Sequence, residues 1–284
     1  MNEARYLTNC PVGCAAGFEH TQYVLPEGAL LRCMECSQLV SQCTEEWYWQ
    51  SMEEFDDPQG TLPSKGSHTK RLRRSKKFLD QIRRRLNQSP SDIRLLDVGC
   101  SSGAFLLSAV KLGFRAEGVE PSLQPVATAQ AAGLNVRQGL LQDIGYADGQ
   151  FDAITLFEVI EHIKEPRSLL QECRRILRPG GILLIGTGNV ASWSMAANGA
   201  NWEYLQIAKH GGHVSFFTPA SITVLAKRCG FLVDAIKTRS VRFCEKEHCS
   251  RILYRLAKLA GELLAVPAVM LGKGSDMAVY LRRI

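Results

Sequence analysis

The chain of 284 residues lacks any apolar run approaching the roughly 20 residues that a membrane-spanning helix requires. Its first residues, Met1-Asn2-Glu3-Ala4-Arg5, do not follow the basic-then-apolar pattern of a secretion signal, so a cytoplasmic setting is expected. No internal repeat is visible, which argues against a solenoid or propeller. Cysteine, by contrast, is plentiful. Ten cysteines in a reducing compartment point to metal ligands and buried thiols rather than disulfides. A hydrophobic fraction of 45%, with 24 Gly and 11 Pro, suits one large α/β domain plus a small module.

The net charge of +6 is unevenly spread. Residues 1–64 carry a balance of −8, residues 65–94 a balance of +9, and the stretch from Lys237 onward a balance of +6. An acidic module followed by a basic segment suggests that the two attract each other.

Residues 1–50 hold two cysteine pairs, Cys10-Pro11-Val12-Gly13-Cys14 and Cys33-Met34-Glu35-Cys36, around strand-like stretches at Gln22–Leu25 and Leu30–Arg32. This pattern reads as a zinc ribbon: four thiolates close a tetrahedral structural site and leave no open position for catalysis. The first pair has three intervening residues instead of two, so Cys43 and His20 are substitute ligands to consider. Glu45–Phe55, rich in acids and aromatics, is expected to pack the ribbon on the main domain; an aromatic wall for a substrate is the alternative. Asp56 to Ser67 reads as a linker. Lys70–Leu86 is a basic helix with an apolar stripe at Phe78, Leu79, Ile82 and Leu86. Its charges suit RNA, a phosphate-bearing substrate or an anionic membrane, or else simply meet the acidic ribbon.

The centre of the chain is Leu95-Leu96-Asp97-Val98-Gly99-Cys100-Ser101-Ser102-Gly103-Ala104-Phe105. It reads as a buried strand, a glycine turn and a helix start, whose amides can face a ligand. D-V-G-C-S-S-G resembles the first motif of class I S-adenosylmethionine (SAM) methyltransferases, with Ser101 in place of a glycine. Farther on, Glu120 ends a second strand (Phe114–Val119), 23 residues after Asp97, where a carboxylate can accept two ribose hydroxyls. Phe151 to Phe157, followed by Glu158-Val159-Ile160-Glu161-His162, resembles the F-D-x-(apolar)-E-V-(apolar)-E-H block of a subgroup that includes quinone and saccharide O-methyltransferases. Leu177-Arg178-Pro179-Gly180-Gly181 resembles the same family's turn into the fifth strand.

The resemblance implies a Rossmann-like α/β fold with a seven-stranded class I methyltransferase sheet in residues 95–284, preceded by the small zinc ribbon (1–50) and by a linker and basic helix (51–94). It implies SAM as cofactor, held by Asp97, Gly99, Cys100, Ser101, Gly103, Glu120, Gly139, Leu140, Phe157 and Glu158, with structural zinc on Cys10, Cys14, Cys33 and Cys36. Glu161 and His162 are expected to begin the next helix and face the substrate. Two insertions, 189–217 and 245–275, are expected to cover the substrate. The first ends in His213-Val214-Ser215-Phe216-Phe217-Thr218, which matches an H-x-x-F-F-T run in related enzymes; Thr218-Pro219 starts a helix. His213, His162 and Glu158 are the candidate catalytic residues, with His210 a further candidate base. His213 is either a base or a loop anchor. In the second insertion Ile252, Leu256, Leu259 and Leu263 form one helical face, with Arg251, Arg255 and Lys258 on another. A lid packed on the domain is expected; contact with a membrane interface is the alternative.

No D…D-N cluster for a catalytic divalent cation is visible, so metal-free O-methylation is expected. The acceptor is read as a small molecule, phosphate-bearing or lipid-linked, such as a saccharide hydroxyl. RNA modification is a second reading, weakened by the lack of an N-P-P-Y-type tetrapeptide after the fourth strand. A SAM-binding scaffold without turnover is a third.

Overall fold

In the computed structural model, residues 5–55, 65–206 and 211–284 are described. The first strands, β1 (Phe18–Leu25), β2 (Gly28–Cys33) and β3 (Leu39–Val40), form an antiparallel ribbon. Helices α1 (Glu45–Phe55) and α2 (Lys65–Leu86) follow. Then β4 (Arg94–Val98), α3 (Ala104–Lys111), β5 (Arg115–Glu120), α4 (Leu123–Ala131), β6 (Val136–Gln138) and β7 (Phe151–Phe157) alternate as the motifs require. After α5 (Pro166–Ile176) come β8 (Leu177–Gly188), α6 (Trp193–Asn198), β9 (Ser215–Phe216), α7 (Pro219–Arg228) and β10 (Phe231–Arg239). Helices α8 (Arg251–Leu263) and α9 (Ala265–Met270) precede the last strand, β11 (Asp276–Arg283).

The large sheet has seven strands in the order β10-β11-β8-β7-β4-β5-β6, and β11 alone runs against its neighbours. Strand order reverses between β4 and β7, and the carboxyl ends of the strands at such a reversal are where sheets of this kind bind ligands. Side-chain alternation fixes the two faces. Leu95, Ala153, Ile182, Leu184 and Tyr280 turn toward α2 and α3, and meet Leu79, Ile82 and Ala109. Leu96, Ile154, Leu183, Ile185 and Val279 turn the other way, onto Leu170, Cys173, Ile222 and Leu225 of α5 and α7. Both layers are fully buried, as the apolar runs of parallel strands demand. Strand β8 starts at Leu177, so the Gly180-Gly181 turn of the sequence motif is an irregularity at the head of the strand rather than a separate connection. Thr218 caps α7: its hydroxyl accepts from the Ser221 N–H, and Pro219 takes the first helical position.

The basic helix turns its apolar stripe to the main domain. Its stripe of Phe78, Leu79, Ile82 and Leu86 lies in the core, and Arg85 pairs with Asp234 at 2.7 Å. A link between ribbon and main domain is Arg228, which donates to Glu35 (2.7 Å), to the Val12 carbonyl and to Cys14 Sγ. The ribbon is also fused to the main domain by its sheet. β3 pairs antiparallel with β9, with Leu39 opposite Phe216 and Val40 opposite Ser215. Tyr48 stacks on Tyr6 at 4.2 Å and donates to the His162 carbonyl at 3.0 Å. The aromatic segment thus packs the ribbon down, although Trp49 remains exposed.

Cys10, Cys14, Cys33 and Cys36 are all buried, and their sulfurs lie within 4.8 Å of one another. Cys10 and Cys36 are 3.6 Å apart. A zinc–sulfur distance near 2.3 Å implies tetrahedron edges of about 3.8 Å, so the group suits structural zinc. Cys43 is not part of it; it packs with Tyr6, Tyr48 and Val214, and His20 is exposed on β1. Against the expectation of free thiols, Cys244 and Cys249 form a disulfide. Cys33→Ser is expected to remove bound zinc and lower Tm by several degrees, because metal binding and ribbon folding are one equilibrium. Zinc content and a melting curve on the same sample check this; unaltered zinc content would contradict the assignment.

Candidate active site

The end of β4 presents Asp97, and the chain then turns through Gly99 (φ 69°), Ser101 (φ 48°) and Gly103 (φ 79°) into α3. These left-handed positions suit glycine, and Ser101 is the exception. A Cβ on Gly99 would meet Val159 at 2.4 Å, and one on Gly103 would meet Leu134 at 2.4 Å. Both glycines are therefore required by packing inside the protein as well as by the turn. Glu120 reaches back to this turn: one carboxyl oxygen accepts from the Ser101 N–H at 2.9 Å and the other from the Ser122 N–H at 3.1 Å. Each oxygen keeps a lone pair for a further donor, as a ribose diol needs. Gly139 (φ 138°) follows β6 and donates to the Glu120 carbonyl, and Leu140 beside it is exposed. These residues fit the adenosine half of SAM.

Two predicted cofactor residues also pack inside the protein. The Cys100 thiol packs among Leu106, Val126, Ala129 and Leu134, so only its backbone faces the turn. Phe157 wedges between Phe78 (5.1 Å) and Phe105 (4.8 Å), which ties α2 and α3 to the end of β7. Asp97 is buried and accepts from the Thr155 hydroxyl at 2.6 Å. Burial pushes its carboxyl up to about 7, with the Glu120 charge adding to the effect.

Beyond β7 lies a second group. Glu158 holds a left-handed backbone (φ 53°). Loss of hydration, then the neighbouring Glu161 and Asp276, raise its carboxyl well above the usual range, although the residue keeps access to solvent. Glu161 and His162 sit in a short 3₁₀ turn, Ile160–His162, rather than opening α5, which begins at Pro166. Glu161 is fully buried. Its oxygens accept from Thr187 Oγ1 (3.1 Å) and from the Tyr204 hydroxyl (2.9 Å). Tyr204 is itself within 2.9 Å of Thr187 Oγ1 and accepts from the Gly188 N–H; burial first, then Glu161 and Glu158, hold its proton on. Gly188 leaves room for that ring, since a Cβ there would meet it at 2.4 Å.

His213 joins this group from the 189–217 segment. Its Nδ1 lies 2.9 Å from the Tyr204 carbonyl, and its Nε2 lies 4.0 Å from Glu161 Oε1. If Nδ1 carries the proton toward the carbonyl, the lone pair is on Nε2. The His162 ring is 4.6 Å from that of His213; burial lowers its pKa, and its Nδ1 is buried without a hydrogen-bond partner among the described residues. Glu161, His162 and His213 each offer a donor atom, all within 4.8 Å, a set also able to take a cation. His210 lies outside the described residues. Tyr204 and Thr187 are the site residues that sequence reading missed. No motif marks them: Thr187 meets Glu161 from the end of β8, and Tyr204 only once the segment after β8 folds back. Beside them, a cavity of about 490 Å³ lies under α8, lined by Glu203, Arg242, Phe243, Tyr254 and Lys258 among others.

A family profile of the methyltransferase domain matches residues 69–236. This chain belongs to that family of methyltransferase domains. The methyltransferase is 34% identical over 161 residues to a ubiquinone biosynthesis O-methyltransferase of Cereibacter sphaeroides, a match covering 53% of this chain and 64% of the relative. Less than two thirds of that relative's length is therefore spanned. Among solved structures, a SAM-dependent methyltransferase from Archaeoglobus fulgidus superposes with a TM-score of 0.52 at 18% identity, covering 74% of this chain and 94% of that one. One from Mesorhizobium loti gives 0.50 at 19% identity, covering 69% and 93%. These structures show the shared fold.

Two outcomes are expected. Glu120→Ala should weaken SAM binding about ten- to a hundredfold, the worth of one or two hydrogen bonds to a charged group; titration calorimetry reads this, and unchanged affinity would remove Glu120 from the cradle. Asp97 binds its proton more tightly folded (about 7) than unfolded (3.8), so its contribution to stability is complete at low pH and lost as pH rises through about 7. The ligand-free protein should therefore lose stability relative to Asp97→Asn between about pH 4 and 7. Parallel denaturant titrations of the two would show it; a constant difference would contradict it.

Proposed function

We propose that this methyltransferase acts in the cytoplasm and transfers a methyl group to a hydroxyl of a small molecule, a saccharide or a lipid-linked, phosphate-bearing intermediate. The observation that carries this reading is the buried Glu161–Tyr204–His213 group, set at the carboxyl end of β7 beside the cofactor turn. The name of the Cereibacter relative, an O-methyltransferase, supports oxygen as the acceptor atom. SAM supplies an electrophilic methyl group when bound. The chain's own residues must then hold the hydroxyl in line and take its proton.

His213 is the base in this reading. Nδ1 anchors the ring on the Tyr204 carbonyl, Nε2 on the Glu161 side takes the proton, and the Glu161 carboxyl stabilises the imidazolium that forms. Tyr204 and Thr187 orient Glu161, whose burial would otherwise be costly. The unpaired Nδ1 of His162 and the carboxyl of Glu158 line the acceptor position. The cofactor cradle is formed by Asp97, Gly99, Ser101, Gly103, Glu120, Gly139 and Leu140 with the backbone of Cys100. Residues 1–50 act as a structural ribbon that braces the 189–217 segment through β9.

His213→Ala should lower kcat by about 10²- to 10⁴-fold, the usual contribution of a positioned base, while SAM affinity stays unchanged. S-adenosylhomocysteine release over a panel of hydroxylated saccharides, lipid-linked intermediates and quinols measures it. Equal turnover by the variant would exclude His213 as base. A folded protein that binds SAM yet turns over no acceptor in the panel would count against this acceptor class.

A further inference from the structure

The insertion between β10 and β11 packs on the domain, but not through its apolar stripe. Helix α8 rests on the protein through Tyr254, Ala257 and Gly261. The fit is close: a Cβ on Gly261 would meet the Val241 carbonyl at 2.6 Å. Positions advance about 100° per residue around a helix. Ile252, Leu256, Leu259 and Leu263 therefore lie opposite that seated line and point away from the protein. They are exposed, Ile252 by 74% and Leu263 by 72%. Val266, Met270 (82%) and Leu271 continue the exposed apolar surface along α9. The seated face is already in use, so the apolar stripe is not available to cover the active site.

One flank of the stripe is basic. Arg251, Arg255 and Lys258 are exposed at successive turns of α8, and Glu262, 4.0 Å from Lys258, is the one acid on that line. Apolar side chains flanked by cations on a helix that lies along the protein surface match the two layers of an anionic bilayer interface: acyl chains beneath, headgroup charge at the level of the basic side chains. A second copy of the chain fits less well. Pairing two such helices antiparallel sets basic flank beside basic flank, whereas anionic headgroups neutralise it. Among the described residues no helix is long and apolar enough to cross a membrane, so the contact is peripheral.

We propose that α8 and α9 form a docking surface for an anionic lipid membrane, with Ile252, Leu256, Leu259, Leu263 and Met270 entering the interface and Arg251, Arg255 and Lys258 reading its charge. The surface stands on exposure and charge alone and does not depend on which acceptor is methylated. It would place the cavity under α8 at the membrane surface, where a lipid-borne acceptor has a polar head to present.

The test is co-sedimentation of the full chain with phosphatidylcholine vesicles, with and without phosphatidylglycerol. Binding is expected to require phosphatidylglycerol, to fall as salt rises, and to be lost in the double variant L256E/L263E. R255Q and K258Q should each weaken it about fivefold, the worth of one cation near an anionic surface. SAM affinity, measured on every variant, should be unchanged, which shows that the fold and the cofactor site are intact. Absence of binding to either vesicle overturns the proposal, as does binding that survives L256E/L263E. A dimer in lipid-free sedimentation velocity that L256E/L263E dissociates, with no vesicle binding, assigns the face to a second copy instead.

Discussion

A carboxyl group with no exposed surface cannot be left without donors, and Glu161 is such a group. Its two oxygens are met by Thr187 at the end of β8 and by Tyr204 in the segment that follows. That requirement pulls the 189–217 segment back toward Glu161. Gly188 has to be glycine for the Tyr204 ring to reach, and the Tyr204 carbonyl in turn fixes His213. One buried acid thus ties together Thr187, Tyr204 and His213. Removing a partner would leave the acid unpaired rather than merely subtract a hydrogen bond.

The same segment explains why a small cysteine module sits on this enzyme. Strand β9 begins two residues after His213 and is the fourth strand of the ribbon's sheet. The Ser41 N–H donates to the Val214 carbonyl, and Gln38 donates to Ser215. Leu25, Leu30 and Leu39 of the ribbon share an apolar cluster with Met195, Trp202 and Phe216. The ribbon therefore packs against the strand that follows His213, and a ribbon too small to fold on its own core is held by its cysteine cluster and by Arg228. The cysteine cluster and the Glu161–His213 group are joined through one continuous backbone ladder, β2 to β3 to β9.

The cofactor end is simpler. Strand, glycine turn and helix start follow from local rules, and Glu120 is brought to the turn by the parallel pairing of β4 with β5, with Val98 beside Val119. Asp97 is different in character. It is buried beneath the turn and held by Thr155, and its raised pKa shows that the ligand-free fold carries an electrostatic cost there. Sites that must meet a cationic ligand commonly keep such a cost.

The sequence alone determined the elements and their faces. Leu95 to Val98, Phe151 to Phe157 and the glycine turn are local patterns whose period and breakers allow few alternatives, so the sheet and the cluster of four ribbon cysteines could be named in advance. It also marked His213, Glu158 and the E-V-I-E-H block as chemistry, since short motifs keep their residues close in the chain. What it could not determine was which residues meet across long separations. Tyr204 and Thr187 carry no motif, and their value lies in reaching Glu161 from another part of the fold. The basic helix spends its apolar stripe on the core, and its Arg85 pairs with Asp234 of a strand 149 residues away. The Ile252–Leu263 stripe shows the same limit from the other side. Amphipathic spacing says that a helix has an apolar face, but only the seating of Tyr254 and Gly261 decides whether that face turns inward or out.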